Sequence, residues 1–316
     1  MLLSQFVRGS TRALQALYPE AEASALVAML VEELTGFRRY THIIEPQTEV
    51  PGDKEALLEQ ALARLCAGEP IQYVLGYTEF CGLKLKVAPG VLIPRPETEM
   101  LVEQALRLLP PPSADPSSPG ARVLDLCTGS GCIAWALATR RPDLSVTAVD
   151  LSPDALALAS SQKAFLGTSA TVDFYLADVL SDPPAIIPTD PSAVIPSDLS
   201  VISTKAEGRV EESLYDLIVS NPPYIKDSER ASMRPNVLDH EPAMALFVPD
   251  ADPLRFYRAI ARWAQALLAP GGRGLVEINE TLGPGTAAVF TAAGFTDVAV
   301  LPDFAGKDRF VSFSRP

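Results

Sequence analysis

An α/β fold with a mostly parallel, seven-stranded sheet, preceded by a small all-helical domain, is what this 316-residue sequence predicts. Two observations carry that expectation. From Arg122 onward, short apolar runs alternate with amphipathic stretches, the pattern of a parallel sheet covered by helices on both faces. Before about residue 78, apolar residues recur at threes and fours and strand signals are almost absent.

In the first part, "EAEASALVAMLVEELTG" opens with acids and ends at Gly36, a C-cap position, and "DKEALLEQALARLCAG" (Asp53 to Gly68) repeats that grammar. Residues 1–78 therefore read as a helical bundle. "EFCGLKLKVAPGVLIPR" alternates apolar and polar residues around "APG" and predicts a β-hairpin, so that 79–97 links the bundle to a second domain over 98–316. "PETEMLVEQALRLL" is a helix with acids in its first turn, followed by a proline-rich loop from Pro110 to Gly120.

The sheet then follows in order. "RVLDLC", "SVTAVD", "VDFYLAD", "YDLIVSN" and "RGLVEIN" are strands, and "DVAVLPDFAGKDRFVSF" supplies two antiparallel edge strands. Between them lie the helices "CIAWALATRR", "SPDALALASSQKAFLG" with Ser152 as N-cap, "DPLRFYRAIARWAQALLAPGG" ending in Gly271-Gly272, and "TLGPGTAAVFTAAGF". Residues 181–213, rich in Pro, Ser, Thr and Asp, fit no element and read as an insertion on the rim of the sheet.

Composition excludes several functions. Net charge is −13, which disfavours broad binding to nucleic acid or to anionic membrane, and no segment approaches a membrane span. The opening residues hold no continuous apolar run, so the expected location is the cytoplasm. Cys66, Cys81, Cys127 and Cys132 form no CxxC, and His42 and His240 lie far apart, so no metal site is expected.

Chemistry concentrates at strand ends. In "DLCTGSGC" (Asp125 to Cys132), Gly129 and Gly131 allow a tight turn that brings a ligand against backbone N–H groups at a helix start. Asp150 and Asp178 end the next two strands, where ligands bind in open α/β sheets and where an acid reaches ribose hydroxyls. Gly129, Gly131 and Ala134 also satisfy the dinucleotide pattern, which keeps a nicotinamide cofactor as a competitor. Against it, Asp125 would repel a phosphate in the turn. A carboxylate there suits the cationic S-adenosylmethionine, which carries an ammonium, a sulfonium and a ribose diol but no phosphate.

The stretch "SNPPYI" ends a buried strand in two prolines, which neither continue a central strand nor start an ordinary helical turn. An sp2 nitrogen bearing two N–H bonds needs two acceptors to hold it. The Asn221 side-chain oxygen and the Pro222 carbonyl supply them, proline rigidity fixes the carbonyl, and Tyr224 offers a flat face to a planar group.

Taken together, "LDLCTGSG", "SNPPYI", "PIQYVLGYTEFCGLKLKVAPGVLIPRPETE" and "HEPAMALFVPDADPLRFYR" resemble the HemK/PrmC family of protein-(glutamine-N5) methyltransferases acting on peptide-chain release factors. NPPY alone is shared with amino-methylating DNA enzymes; joined to the other segments it is far more specific. The resemblance implies a Rossmann-like class I S-adenosylmethionine-dependent methyltransferase domain behind the helical one. It implies class-1 release factors as partners and no direct nucleic-acid or membrane contact.

It also implies that Cys127, Thr128, Gly129, Ser130 and Gly131 face the methionine part of the cofactor, Asp150 the ribose, and Asp178 with Val179 the adenine edge. Asn221, Pro222, Pro223 and Tyr224 then form the glutamine site, with Asn221 also near the cofactor. Cys127 stands where the family usually has its first glycine, a position tied to positive φ, and Val179 where some members carry an aromatic. "LIPRPETE" is either a helix-start ion pair in a rigid loop or a wall of the substrate cleft, and "DHEPAMAL" either a capped loop or a substrate contact. The rival reading is a DNA or RNA amino-methyltransferase that uses the same NPPY site on a flipped base.

Overall fold

The structure, a computed structural model, describes residues 1–112, 120–183 and 214–316. Most of the expected rim insertion, residues 184–213, and part of the proline-rich loop, 113–119, lie outside the described residues. Two compact units emerge: Met1–Tyr77 with Met233–Glu241, and Thr78–Ser232 with Pro242–Pro316.

The first unit is helical: α1 (Leu3–Leu14), α2 (Glu20–Thr35), the short α3 (Thr41–Ile44), α4 (Gly52–Cys66) and α5 (Ile71–Leu75). Helix α2 starts with Glu20 and Glu22, which favour the partly positive N-terminus. It stops at Gly36, whose left-handed φ of 77° turns its N–H onto the Glu32 carbonyl at 2.9 Å. Leu3, Leu14, Val27, Leu30, Leu58 and Leu65 form the buried core. The later segment Met233–Glu241 sorts with these helices, not with the sheet, and Arg234 pairs with Glu22 at 2.6 Å.

In the second unit, β1 (Tyr77–Phe80) and β2 (Leu83–Lys86) form the expected hairpin, but its turn is Cys81-Gly82 and not "APG". Both turn residues have positive φ, 51° and 77°, as a two-residue hairpin turn requires. Gln162, fully buried, bonds the backbone N–H and carbonyl of Lys86, each at 2.9 Å, and so ties the hairpin to a helix of the sheet layer.

Next come α6 (Pro96–Leu108), β3 (Arg122–Leu126), α7 (Cys132–Arg140), β4 (Ser145–Asp150), α8 (Pro153–Leu166), β5 (Val172–Leu176) and β6 (Tyr215–Ser220). The Ser152 hydroxyl caps α8 by accepting from Ala155 N at 3.2 Å. After β6, the two-residue β7 (Ile225–Lys226) pairs with β8 (Phe247–Val248), with α9 (Pro235–His240) and α10 (Ala243–Leu246) between them in sequence. The chain closes with α11 (Arg255–Leu267), β9 (Leu268–Glu277), α12 (Gly283–Ala292), β10 (Thr296–Pro302) and β11 (Asp308–Ser314).

Strand order is β10-β11-β9-β6-β3-β4-β5, with β3, β4, β5, β6 and β9 mutually parallel. Of the two antiparallel strands expected at the edge, only β10 is there; β11 inserts between β10 and β9. Helix α11 stops at Leu267, short of the expected Gly271-Gly272 cap. Those glycines lie within β9, where the pairing jumps from Tyr215↔Leu268 to Leu217↔Arg273. The Gly271 φ of 75° accommodates that bulge.

Side chains alternate between two buried faces. Leu124 and Ile218 join a core with Tyr257 and Trp263, while Val123 and Leu217 join a second with Leu101 and Leu137. No helix among the described residues is long and apolar enough to cross a membrane.

Candidate active site

Five parallel strands deliver chemistry-bearing residues at their carboxyl ends: Cys127 after β3, Asp150 on β4, Asp178 after β5, Asn221 after β6 and Glu277 on β9. The turn after β3 is built on alternating left-handed residues, Cys127 at φ 61°, Gly129 at 56° and Gly131 at 77°. Cys127 thus holds a positive φ, a conformation that costs a non-glycine residue on the order of 1–3 kcal/mol and clusters at functional sites. Gly131 leaves little room for a side chain: a Cβ would lie 3.0 Å from both Ala159 and the Trp135 ring. Gly129 has open space where its Cβ would be, which leaves the backbone approachable.

Asp150 braces this turn. Its Oδ2 accepts from Gly129 N at 2.7 Å and its Oδ1 from Ser152 N at 2.9 Å. Each carboxylate oxygen keeps a further lone pair for a ligand hydroxyl. Burial raises the Asp150 pKa, and the bonds from Ser152 and Gly129 oppose it.

One cavity gathers most of the expected residues. Its wall includes Cys127, Thr128, Gly129, Ser130, Asp150, Asp178, Val179, Asn221 and Pro223. Pro94, Arg95 and Thr98 of "LIPRPETE" and Pro242, Met244 and Ala245 of "HEPAMAL" line it too. Asp125, Gly131, Pro222 and Tyr224 are not on that wall. Asp125 sits fully buried beneath the turn, its Oδ2 accepting the Thr128 hydroxyl at 2.6 Å and its Oδ1 without a partner among the described residues.

Tyr224 is turned to a different use from simple display of its ring. Its hydroxyl donates to Glu277 Oε1 at 3.0 Å, and the other carboxylate oxygen, Oε2, accepts from Thr98 at 2.8 Å. The Thr98 oxygen in turn accepts from Asn221 Nδ2 at 3.0 Å. Thr98 and Glu277 are both 1% exposed. Burial raises the Glu277 pKa, opposed by the hydroxyls of Thr98 and Tyr224 and by Arg309. Neither residue stood out in the sequence, although Glu277 carries the same signal as Asp125 and Asp150: an acid near the carboxyl end of an apolar strand.

Comparison with known proteins decides the family. A family profile described as "PrmC N-terminal domain" matches residues 5–76, and one described as "Methyltransferase domain" matches 123–229. A release factor glutamine methyltransferase of Bacteroides thetaiotaomicron is 39% identical over 314 residues, 99% of each chain. The chain belongs to the release factor glutamine methyltransferase family. A second member, from Cereibacter sphaeroides, is 39% identical over 87% of this chain and 84% of its own. The solved protein-(glutamine-N5) methyltransferase (release factor-specific) of Alicyclobacillus acidocaldarius is 28% identical, covering 73% of this chain and 99% of its own with a TM-score of 0.38. The protein is an S-adenosylmethionine-dependent methyltransferase of the class I fold.

The residues present fit that cofactor. Asp125 beneath the turn supplies no positive charge for a phosphate, while Asp150 on the wall keeps lone pairs suited to a ribose diol. Burial pushes the Asp125 carboxyl up to about 7, with the Thr128 hydroxyl and the Ala134 backbone N–H opposing and Asp150 adding. A folded-state pKa above the unfolded one means that the native protein holds this proton more tightly. This group's contribution to stability is therefore lost as pH climbs from the ordinary carboxylate range toward 7. A cationic ligand favours the ionised form and releases the proton. Affinity for S-adenosylmethionine should accordingly rise between about pH 6 and 8, and Asp125→Asn should flatten the rise. Calorimetry across that range checks this; a pH-independent affinity in the parent protein would contradict it.

Proposed function

We propose that the enzyme methylates the side-chain amide nitrogen, N5, of a glutamine in class-1 peptide-chain release factors. The observation that carries this reading is Asn221 on the wall of the same cavity as Asp150 and the Gly129 turn, with its amide N–H already engaged by Thr98. An engaged Nδ2 leaves Oδ1 as an acceptor for one N–H of an incoming amide, and the Pro222 carbonyl serves as the second. Tyr224, set back from that wall and anchored through the Glu277 bond, is the residue we propose to face the amide plane. Such holding favours localisation of the nitrogen lone pair.

Thr128, Gly129, Ser130 and Cys127 hold the methionine part of the cofactor, Asp150 the ribose diol, and Asp178 with Val179 the adenine edge. S-Adenosylmethionine, when bound, supplies an electrophilic methyl on sulfur, suited to direct in-line transfer. No general base is required, because the amide proton becomes acidic only after the nitrogen is alkylated and then leaves to water. The protein contributes proximity and alignment, which together are worth roughly 7–11 kcal/mol, and hydrogen bonds that strengthen as charge develops on nitrogen.

The helical part, which matches the "PrmC N-terminal domain" description over 5–76, recognises the release factor in this reading. The setting is the cytoplasm, which agrees with four free thiols. A net charge of −13 favours a protein substrate over DNA or RNA. The discriminating assay offers labelled S-adenosylmethionine with a class-1 release factor, duplex DNA and ribosomal RNA in competition. Label should enter the release factor; label in either nucleic acid in preference to it would favour the amino-methyltransferase alternative.

A further inference from the structure

We propose that Glu277 is a positioning residue for the transfer, setting the orientation of the Asn221 side chain through Thr98 and that of Tyr224 directly. The inference deepens the glutamine-methylation reading and rests on it. Its basis is the direction in which protons must run along a buried chain of three groups. Glu277 accepts from both neighbouring hydroxyls, through Oε2 from Thr98 and through Oε1 from Tyr224. The Thr98 hydroxyl proton is therefore committed to Glu277 Oε2, at 2.8 Å. What remains on the Thr98 oxygen is lone-pair density, so the group facing it at 3.0 Å must be a donor. For a carboxamide that is the NH2 end.

The Asn221 oxygen is thereby turned away from Thr98. A free asparagine exchanges its oxygen and nitrogen by a half-turn about its last side-chain bond, and only one of the two orientations offers an acceptor to an amide substrate. Glu277 removes the wrong one without touching substrate. The other carboxylate oxygen accepts from Tyr224 at 3.0 Å, so a single buried group aligns both halves of the NPPY site. Three elements supply the parts: Thr98 from the first turn of α6, Asn221 and Tyr224 from the segment after β6, and Glu277 from the end of β9. The backbone carbonyl of Glu277 is itself held by the Tyr257 hydroxyl at 3.1 Å, which fixes the strand end that carries the relay.

A positioning role differs from a merely structural one in what restores it. Thr98→Val keeps the shape and removes the hydroxyl; Thr98→Ser keeps the hydroxyl and removes the methyl. Steady-state kinetics on a purified class-1 release factor, with cofactor affinity measured separately by calorimetry, reads the difference. Thr98→Val should lower turnover at saturating substrate roughly 10- to 100-fold, as expected for one lost hydrogen bond to a charged group. Thr98→Ser should restore most of it, and cofactor affinity should be nearly constant throughout. Glu277→Gln offers one acceptor and one donor in place of two acceptors, so it should lower turnover as well. Combined with Thr98→Val it should cost little more than Glu277→Gln alone, because the Thr98 branch of the relay is then already broken.

Parental turnover in Thr98→Val, a loss that Thr98→Ser does not restore, or an equal loss of cofactor affinity would each overturn the proposal. If the parent enzyme itself leaves the release-factor glutamine unmodified, the functional reading has failed and this inference falls with it. The parent reaction in the same assay separates that case from the others.

Discussion

Replacing Asn221 by alanine is expected to lower methyl transfer to a release factor by about 100- to 1,000-fold, equivalent to about 2.7–4 kcal/mol of transition-state stabilisation. The variant removes the carbonyl oxygen proposed to receive the substrate N–H. It also leaves Thr98 without the N–H it now accepts. Cofactor affinity should fall far less than turnover, because Asp150 and the Gly129 turn stay intact. Asn221→Asp is the sharper variant. It keeps an acceptor but brings a second carboxylate against a Thr98 hydroxyl whose proton is already given to Glu277. Partial activity with a pH dependence absent from the parent is expected, read from initial rates at saturating cofactor. Full activity in Asn221→Ala would mean that the amide is held elsewhere.

Asp150→Ala should separate the two ligands. The carboxylate accepts from Gly129 N and Ser152 N, so its removal loosens the turn as well as removing the proposed ribose contacts. Hydrogen bonds to a charged group contribute about 1.5–3 kcal/mol each, so cofactor affinity should weaken by roughly 10- to 150-fold. Turnover at saturating cofactor should drop much less, since Asn221, Thr98 and Glu277 lie on other strand ends and another helix. Calorimetry with S-adenosylmethionine beside saturation kinetics gives both numbers. The reverse pattern, intact affinity with lost turnover, would put the ribose somewhere other than Asp150.

Much of this architecture was legible because its signals are local. Apolar runs such as "RVLDL" and "YDLIVS" have few options in a chain with intervening amphipathic helices, and caps such as Ser152 and Gly36 act within one turn. What sequence reading misplaced depends on backbone conformation or on pairing. The hairpin turn falls at Cys81-Gly82 because two successive positive φ angles fit a two-residue turn there, although "APG" is the louder punctuation. Gly271-Gly272 look like a helix stop, yet they serve a bulge in β9, because register with β6 is decided by the partner strand.

The site divides the same way. The glycine turn, Asp150, Asp178 and Asn221 follow from the rule that ligands bind at the carboxyl ends of parallel strands. Asp125 obeys that rule in sequence but is fully buried beneath the turn, since a tight turn folds over its own strand end. Thr98 and Glu277 escape notice because their meaning lies in a contact across 179 residues of chain. A threonine in a helix's first turn and a glutamate in an apolar strand are each unremarkable alone.

The measurement that tests the account most directly is mass spectrometry of a class-1 release factor after incubation with the enzyme and isotope-labelled S-adenosylmethionine. One added methyl is predicted, located by fragmentation on the side-chain nitrogen of a single glutamine and absent when Asn221→Ala replaces the parent enzyme. A methyl found on lysine or arginine, or an unmodified release factor, would contradict the account.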